Sequence, residues 1–205
     1  MSNENPLGQA ISLLSRVRDK GLSSATLEAH FSAGLISDLF DVGDPMAIDR
    51  DAHRKFLGLS PLEFRALVES GVTIEQMVAA ASFDWVNSEI NSTNFPVDSN
   101  VVGAYRFKIY EPKRDISSQA MVGMMQADGF PAARHEPGIA FGKEFPREQL
   151  KRPIALLGSS AEVDGRRCVV CLYRDGTERK LFLSRWDYDW RGRWGFLGAQ
   201  KVSGA

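Results

Sequence analysis

The run Cys168-Val-Val-Cys-Leu-Tyr173 constrains the fold more than any other part of this 205-residue chain. It is β-branched and apolar with an aromatic end, so it predicts a strand. The turn residues Arg174-Asp-Gly-Thr177 follow it, and then a second extended stretch over 178–184. Side chains three apart on a strand face opposite sides, so Cys168 and Cys171 cannot readily share a metal or a disulfide despite their Cys-x-x-Cys spacing. They read as small packing residues.

The same periodicity extends through the second half. Tyr105, Phe107 and Ile109 alternate with Arg106, Lys108 and Tyr110, which predicts a half-buried strand. Ser117 caps a helix whose Met121, Met124 and Met125 read as core filler, and a second helix follows Pro137 through Ile139, Ala140 and Phe141. Pro153-Ile-Ala-Leu-Leu157 predicts a buried strand, and 195–201 a last one.

The first half reads as helical. Leu7, Ile11, Leu14 and Val17 recur at helical spacing, as do Leu27, Phe31, Leu35 and Leu39, and a third stretch covers 48–57. Ser60-Pro61-Leu62-Glu63 is a capping-box pattern that predicts a helix ending near Gly71, and Thr73-Ile-Glu-Gln76 predicts another through Ala81. A DNA-binding hairpin of these last two is disfavoured, because 74–81 holds one acid and no base to meet phosphate. The polar stretch 87–100 predicts a linker between a helical domain, 1–86, and a second domain, 101–205.

Charge divides at the same place. Residues 1–100 hold 7 Lys/Arg against 14 Asp/Glu, whereas 101–205 hold 18 against 12. Two solvated or mutually attracting domains would explain this, and so would a basic half facing an anionic partner. The start, Met1-Ser-Asn-Glu-Asn-Pro, lacks the order of a signal peptide, and no run of apolar residues is long enough to span a bilayer, so a cytoplasmic location is expected.

Catalytic patterns fail at identifiable residues. His135-Glu136 has Ile139 where a zinc-protease helix needs its second histidine, and Leu157-Gly-Ser-Ser-Ala161 is not a nucleophile elbow. Asp49-Arg-Asp51 lacks the glycine of an EF-hand loop, and His30, His53 and His135 are scattered. Neither an enzyme nor a cofactor or metal site is expected. The positive signal is Arg185-Trp-Asp-Tyr-Asp-Trp-Arg-Gly-Arg-Trp194, which holds three of the four tryptophans. Trp, Tyr and Arg supply stiff contact area, so Arg185, Trp186, Asp187, Tyr188, Asp189, Trp190, Arg191, Arg193 and Trp194 are the candidate binding residues. Two readings of the rings stay open. In one, Trp186, Trp190 and Trp194 cover the core where the last two strands meet, with the Asp and Arg between them solvated. In the other, Trp186, Tyr188 and Trp190 stand outside while Trp194, beside the last strand, packs inward.

From Tyr105 to Lys201 the chain resembles a module of uncharacterised bacterial proteins. The resemblance is carried by Ala127-Asp-Gly-Phe-Pro-Ala-Ala133, Ile139-Ala-Phe-Gly142, Pro153-Ile-Ala-Leu-Leu-Gly-Ser159 and Trp194-Gly-Phe-Leu197, with Phe83-Asp-Trp-Val-Asn before it. That module's element order is similar to C-type-lectin-like folds, including formylglycine-enzyme-like domains and the variable proteins of diversity-generating retroelements. The resemblance implies an α+β fold in which an all-helical N-terminal domain precedes a C-type-lectin-like domain of two helices and a mostly antiparallel sheet, with ligand at late loops. The paired cysteines and the Glu-Pro-Asn or Gln-Pro-Asp calcium motifs of that family are missing, and Trp186-Asp187 lacks its Trp-Asn-Asp pattern. The expected function is therefore non-catalytic recognition of a protein or other ligand. Single-stranded nucleic acid, stacked on the aromatics, is the alternative, and Asp187 and Asp189 weigh against it.

Overall fold

The computed structural model describes residues 63–202, all within the compact unit Ser60–Ala205. The helices expected over 7–57, with His30 and His53, lie outside the described residues. In chain order the elements are β1 (Phe64–Val68), α1 (Ile74–Ala81), β2 (Trp85–Val86), a 3-10 turn (Ser99–Val101) and β3 (Gly103–Tyr110). Then come β4 (Ile116–Ser117), α2 (Ser118–Ala127), α3 (His135–Glu144), α4 (Glu148–Lys151), β5 (Ile154–Ala155) and β6 (Ala161–Val163). The chain closes with β7 (Arg166–Asp175), β8 (Glu178–Arg185), β9 (Asp189–Trp190) and β10 (Gly195–Lys201).

Eight strands form one mixed sheet in the order β1-β3-β10-β5-β7-β8-β2, with β6 also on β7; β4 and β9 pair separately. This corrects the expected fold class. In place of a C-type-lectin-like domain with two helices, the described residues form a large sheet with parallel pairs at β10–β5 and β8–β2 and few, short helices. The sheet also begins before the expected second domain. The helix predicted from Ser60-Pro-Leu-Glu63 is instead β1, antiparallel to β3 from Phe64↔Phe107 to Val68↔Gly103. Ala66 and Val68 are buried while Arg65 and Leu67 point out, a period of two that an isolated capping pattern does not reveal. Residues 87–100, expected as a linker, run from β2 to β3 with Ile90 and Phe95 buried in the core.

Other elements match expectation. The Thr73/Gln76 capping box of α1 is formed in both directions, Ser117 Oγ accepts the Ala120 N–H to cap α2, and β3, β7, β8 and β10 fall where alternation places them. Strand β7 is covered on both faces, with Val170 and Leu172 in one core and Val169 and Cys171 in the other. Cys168 and Cys171 therefore sit on opposite sides of the sheet, both free and buried. The first core is closed by α1 and α3 through Ile74, Met77, Ile139 and Phe141. Arg179 ties their ends together, donating to the carbonyls of Ala81, Ser82 and Gly142 and lying 4.8 Å over the Phe83 ring. A cation at two helix C-termini also opposes their dipoles favourably.

The second core lies on the other face, where α2 contributes Met121 and Met125. Met124, expected beside them, is 46% exposed, because only the i, i+4 pair of a short helix meets the sheet here. Trp190, Trp194 and Phe196 complete this core and fix the aromatic segment onto the sheet.

Candidate functional site

The aromatic segment divides into a buried half and a displayed half. Trp190 is 0% exposed and Trp194 is also buried, their rings 4.7 Å apart and edge to face. Of the two readings of these rings, the one that displays Trp190 is corrected: β9 pairs with β4 at Ile116↔Trp190, and the indole packs inward onto Phe196. A buried Trp requires a partner for its N–H. Nε1 donates to Ser118 Oγ at 2.7 Å, and Ser118 Oγ donates in turn to the Trp186 carbonyl at 2.5 Å. Trp186 is half-buried, with the Arg167 guanidinium 4.0 Å from its ring centroid.

What remains outside is polar apart from one ring. Tyr188 is 42% exposed and stands edge-on to Trp190 at 5.7 Å, so an exposed ring rests on a fully buried one. Around it, Arg185, Asp187, Asp189 and Arg191 line an open depression of about 520 Å3, which Asp115 completes from the segment before β4. Arg185 Nε lies 3.5 Å from Asp187 Oδ1, an exposed pair of small energetic weight. Arg193 is exposed just outside.

Asp115 had no sequence signal of its own. It accepts the Gly192 N–H at 3.0 Å through Oδ1, a contact between residues 77 apart in the chain. At Gly192 itself, an added Cβ would lie 2.8 Å from Arg114 N and from the Lys113 carbonyl carbon. The loops 113–115 and 191–193 are therefore locked backbone to backbone, and only glycine permits that approach.

A second polar cluster, buried, lies on the other face. Glu136 is fully buried at the start of α3 and is held by Arg134, through Nε at 3.2 Å and Nη2 at 3.1 Å, and by the Asp98 N–H at 3.1 Å. Beside it, His135 Nδ1 lies 3.0 Å from Ser159 Oγ and 3.4 Å from Glu136 Oε2. Serine, histidine and carboxylate together suggest a nucleophilic triad, but the geometry differs from one. A relay needs the serine and the acid on opposite ring nitrogens. Here both meet Nδ1, and Ser159 Oγ also accepts the His135 backbone N–H at 2.9 Å, closing the first turn of α3. The cluster is a helix cap joined to a buried ion pair.

Burial holds the His135 pKa below its ordinary value of 6.5; Arg134 pulls the same way, while Glu136 and the backbone of Phe95 and Pro96 oppose it. A lowered folded pKa means that the unfolded chain binds the proton first, so stability is intact above pH 6.5 and falls as pH drops towards the folded value. Urea unfolding at pH 7.5 and 5.5 should show this loss, and His135→Gln should flatten it.

Among the described residues no group of three or more His, Cys, Asp or Glu is placed to hold a metal ion, and no helix is long and apolar enough to cross a membrane. The chain matches no family model, no curated protein and no solved structure.

Proposed function

We propose that residues 63–202 form a non-catalytic, cytoplasmic binding module that recognises a protein partner through the loop carrying Arg185, Asp187, Tyr188, Asp189, Arg191 and Arg193. The observation that carries this reading is the edge-on packing of exposed Tyr188 against fully buried Trp190, among guanidinium and carboxylate groups. Interface hot spots have this build: a stiff aromatic anchor, Arg beside it and a polar rim. Because Trp190 and its bond to Ser118 already fix the loop, little conformational entropy is left to lose on binding. Two free, buried cysteines suit a reducing compartment.

Single-stranded nucleic acid has less support. Stacking needs a free aromatic face, yet Trp190 and Trp194 are buried and Arg167 already covers Trp186. Tyr188 alone is left in this loop, between two aspartates.

The test compares immobilised full-length wild type with Asp187→Ala/Tyr188→Ala, using Leu67→Ala on exposed β1 as control. Proteins captured by wild type and control, quantified by mass spectrometry, should fall at least tenfold on the double variant, about what truncating one hot spot costs. Equal capture by all three would overturn the proposal.

A further inference from the structure

Strand β8 is paired along the whole of one edge and along only part of the other. It meets β7 from Cys168↔Arg185 to Asp175↔Glu178, whereas β2 reaches only Lys180 and Leu181. The Asn87 N–H takes the Leu181 carbonyl, and the chain then turns away towards buried Ile90. Odd-numbered residues of β8 aim their backbone groups at this second edge. The carbonyls of Arg179 and Leu181 accept bonds there, while even-numbered Trp186, just past the strand, bonds through its N–H to Arg167 of β7. At the far end the Tyr188 N–H takes the Arg185 carbonyl at 3.3 Å. That leaves the Leu183 N–H and C=O and the Arg185 N–H directed off the sheet, with no hydrogen-bond partner among the described residues.

Exposed aromatic surface borders this open edge and continues to the recognition loop. Phe182 and Trp85 share one face of the sheet, Trp85 through its register with Lys180, and they are 39% and 44% exposed. From Phe182, ring contacts lead through Tyr173, Trp194 and Trp190 to Tyr188, with centroids 5.6, 6.2, 4.7 and 5.7 Å apart in turn. Both ends of that row are exposed and its tryptophans are buried, so edge and loop stand on a common base. On the opposite face Arg185 is exposed, and its ion pair with Asp187 is a weak surface one. We infer that the partner docks as an extended peptide, adding a strand to β8 at Leu183–Arg185 between β2 and the 187–191 loop. This rests on the recognition surface proposed above and states the form in which the partner meets it. A strand added to an edge gains affinity from main-chain bonds and specificity from alternate side chains. Residues directly opposite share a face, so the peptide residue beside Phe182 meets apolar surface, and the one beside Arg185, three positions away, meets a cation. The peptide therefore carries an apolar residue three positions from an acidic one. A second copy of this chain fits poorly, because β2 at one end and the loop at the other leave room for a single strand and not for another sheet edge.

The test titrates the 15N-labelled full chain with the capped peptide Thr-Val-Thr-Thr-Asp-Thr and with its reversed sequence, which present that spacing in either strand direction. One of them should give saturable amide shifts centred on 182–186 and slow the hydrogen exchange of the Leu183 and Arg185 amides. N-methylation of both central threonines removes the N–H that the Leu183 carbonyl needs in either direction, and it should weaken binding at least tenfold. Leu183→Pro deletes the free N–H without breaking a bond to β7, and it should weaken binding by a similar factor and lower partner capture. Should that variant not fold, Arg185→Glu replaces it and should turn the preference from the Asp peptide to one with Lys in its place. A Kd above about 1 mM for both peptides, equal binding of the N-methylated form, or an unprotected Leu183 amide would each overturn the inference. So would sedimentation of the free full chain as a dimer whose Leu183 amide is already protected, since the edge would then belong to a second copy. If Asp187→Ala/Tyr188→Ala loses partner capture while Leu183→Pro retains it, the recognition loop stands and the added strand falls. If the peptides pair with β8 and the loop variant captures as before, the role of the loop in partner recognition falls instead.

Discussion

Trp190→Ala should cost the fold about 3–5 kcal/mol, the usual range for truncating a buried Trp or Phe in a core. Its ring touches Trp194, Phe196 and Tyr188, so the cavity opens under the loop and leaves three aromatic neighbours without contact on one side. Ser118 Oγ also loses its donor, although its own bond to the Trp186 carbonyl survives. Trp190→Phe keeps part of the ring and loses the N–H, so it should cost less than the alanine variant. All four tryptophans lie at 85, 186, 190 and 194, so indole fluorescence during urea unfolding reports on Ser60–Ala205 alone. A loss below about 1 kcal/mol would mean that the loop is not anchored through this residue.

Arg134→Met should destabilise by about 3 kcal/mol, the low end for breaking a buried ion pair because the arginine side is partly exposed. It strands the fully buried Glu136 carboxylate with the Asp98 N–H and the His135 ring as its remaining neighbours. Adding Glu136→Leu should recover part of the loss, since removing both charges avoids leaving one unpaired, whereas the Asp98 N–H then has no acceptor from Glu136. Chemical denaturation of the two single variants and the double variant checks this. A double variant less stable than Arg134→Met would show that the carboxylate supports the fold without its cation.

The strands that could be read in advance are those where one chemistry dominates. The continuous apolar run of β7 and the alternation of β3 specify their elements locally, as the Thr73/Gln76 pair specifies the start of α1. Strand β1 was hidden because Ser60-Pro-Leu-Glu63 is a good local helix signal, and only the pairing of Phe64–Val68 with β3 decides against it. Ile90 and Phe95 were hidden for a different reason: single apolar residues in a polar stretch carry no period, yet both are core. The candidate site was half legible. Composition marked residues 185–194 and offered an outward Tyr188, but the inward Trp190 follows from the β4–β9 register. Asp115, Arg114 and Gly192 come together only through folding, and the charged triple Lys113-Arg114-Asp115 was the one faint clue.

Strand β10 lies between β3 and β5, in the middle of the sheet, although it is the last strand of the described chain to leave a ribosome. A nascent polypeptide can form the β7–β8 hairpin early, but β3 stays without its inner neighbour until residues 195–201 emerge. During that interval two bare strand edges invite pairing with other chains. Stalled or clipped products ending before Gly195 should therefore depend on chaperones for solubility far more than the finished molecule does.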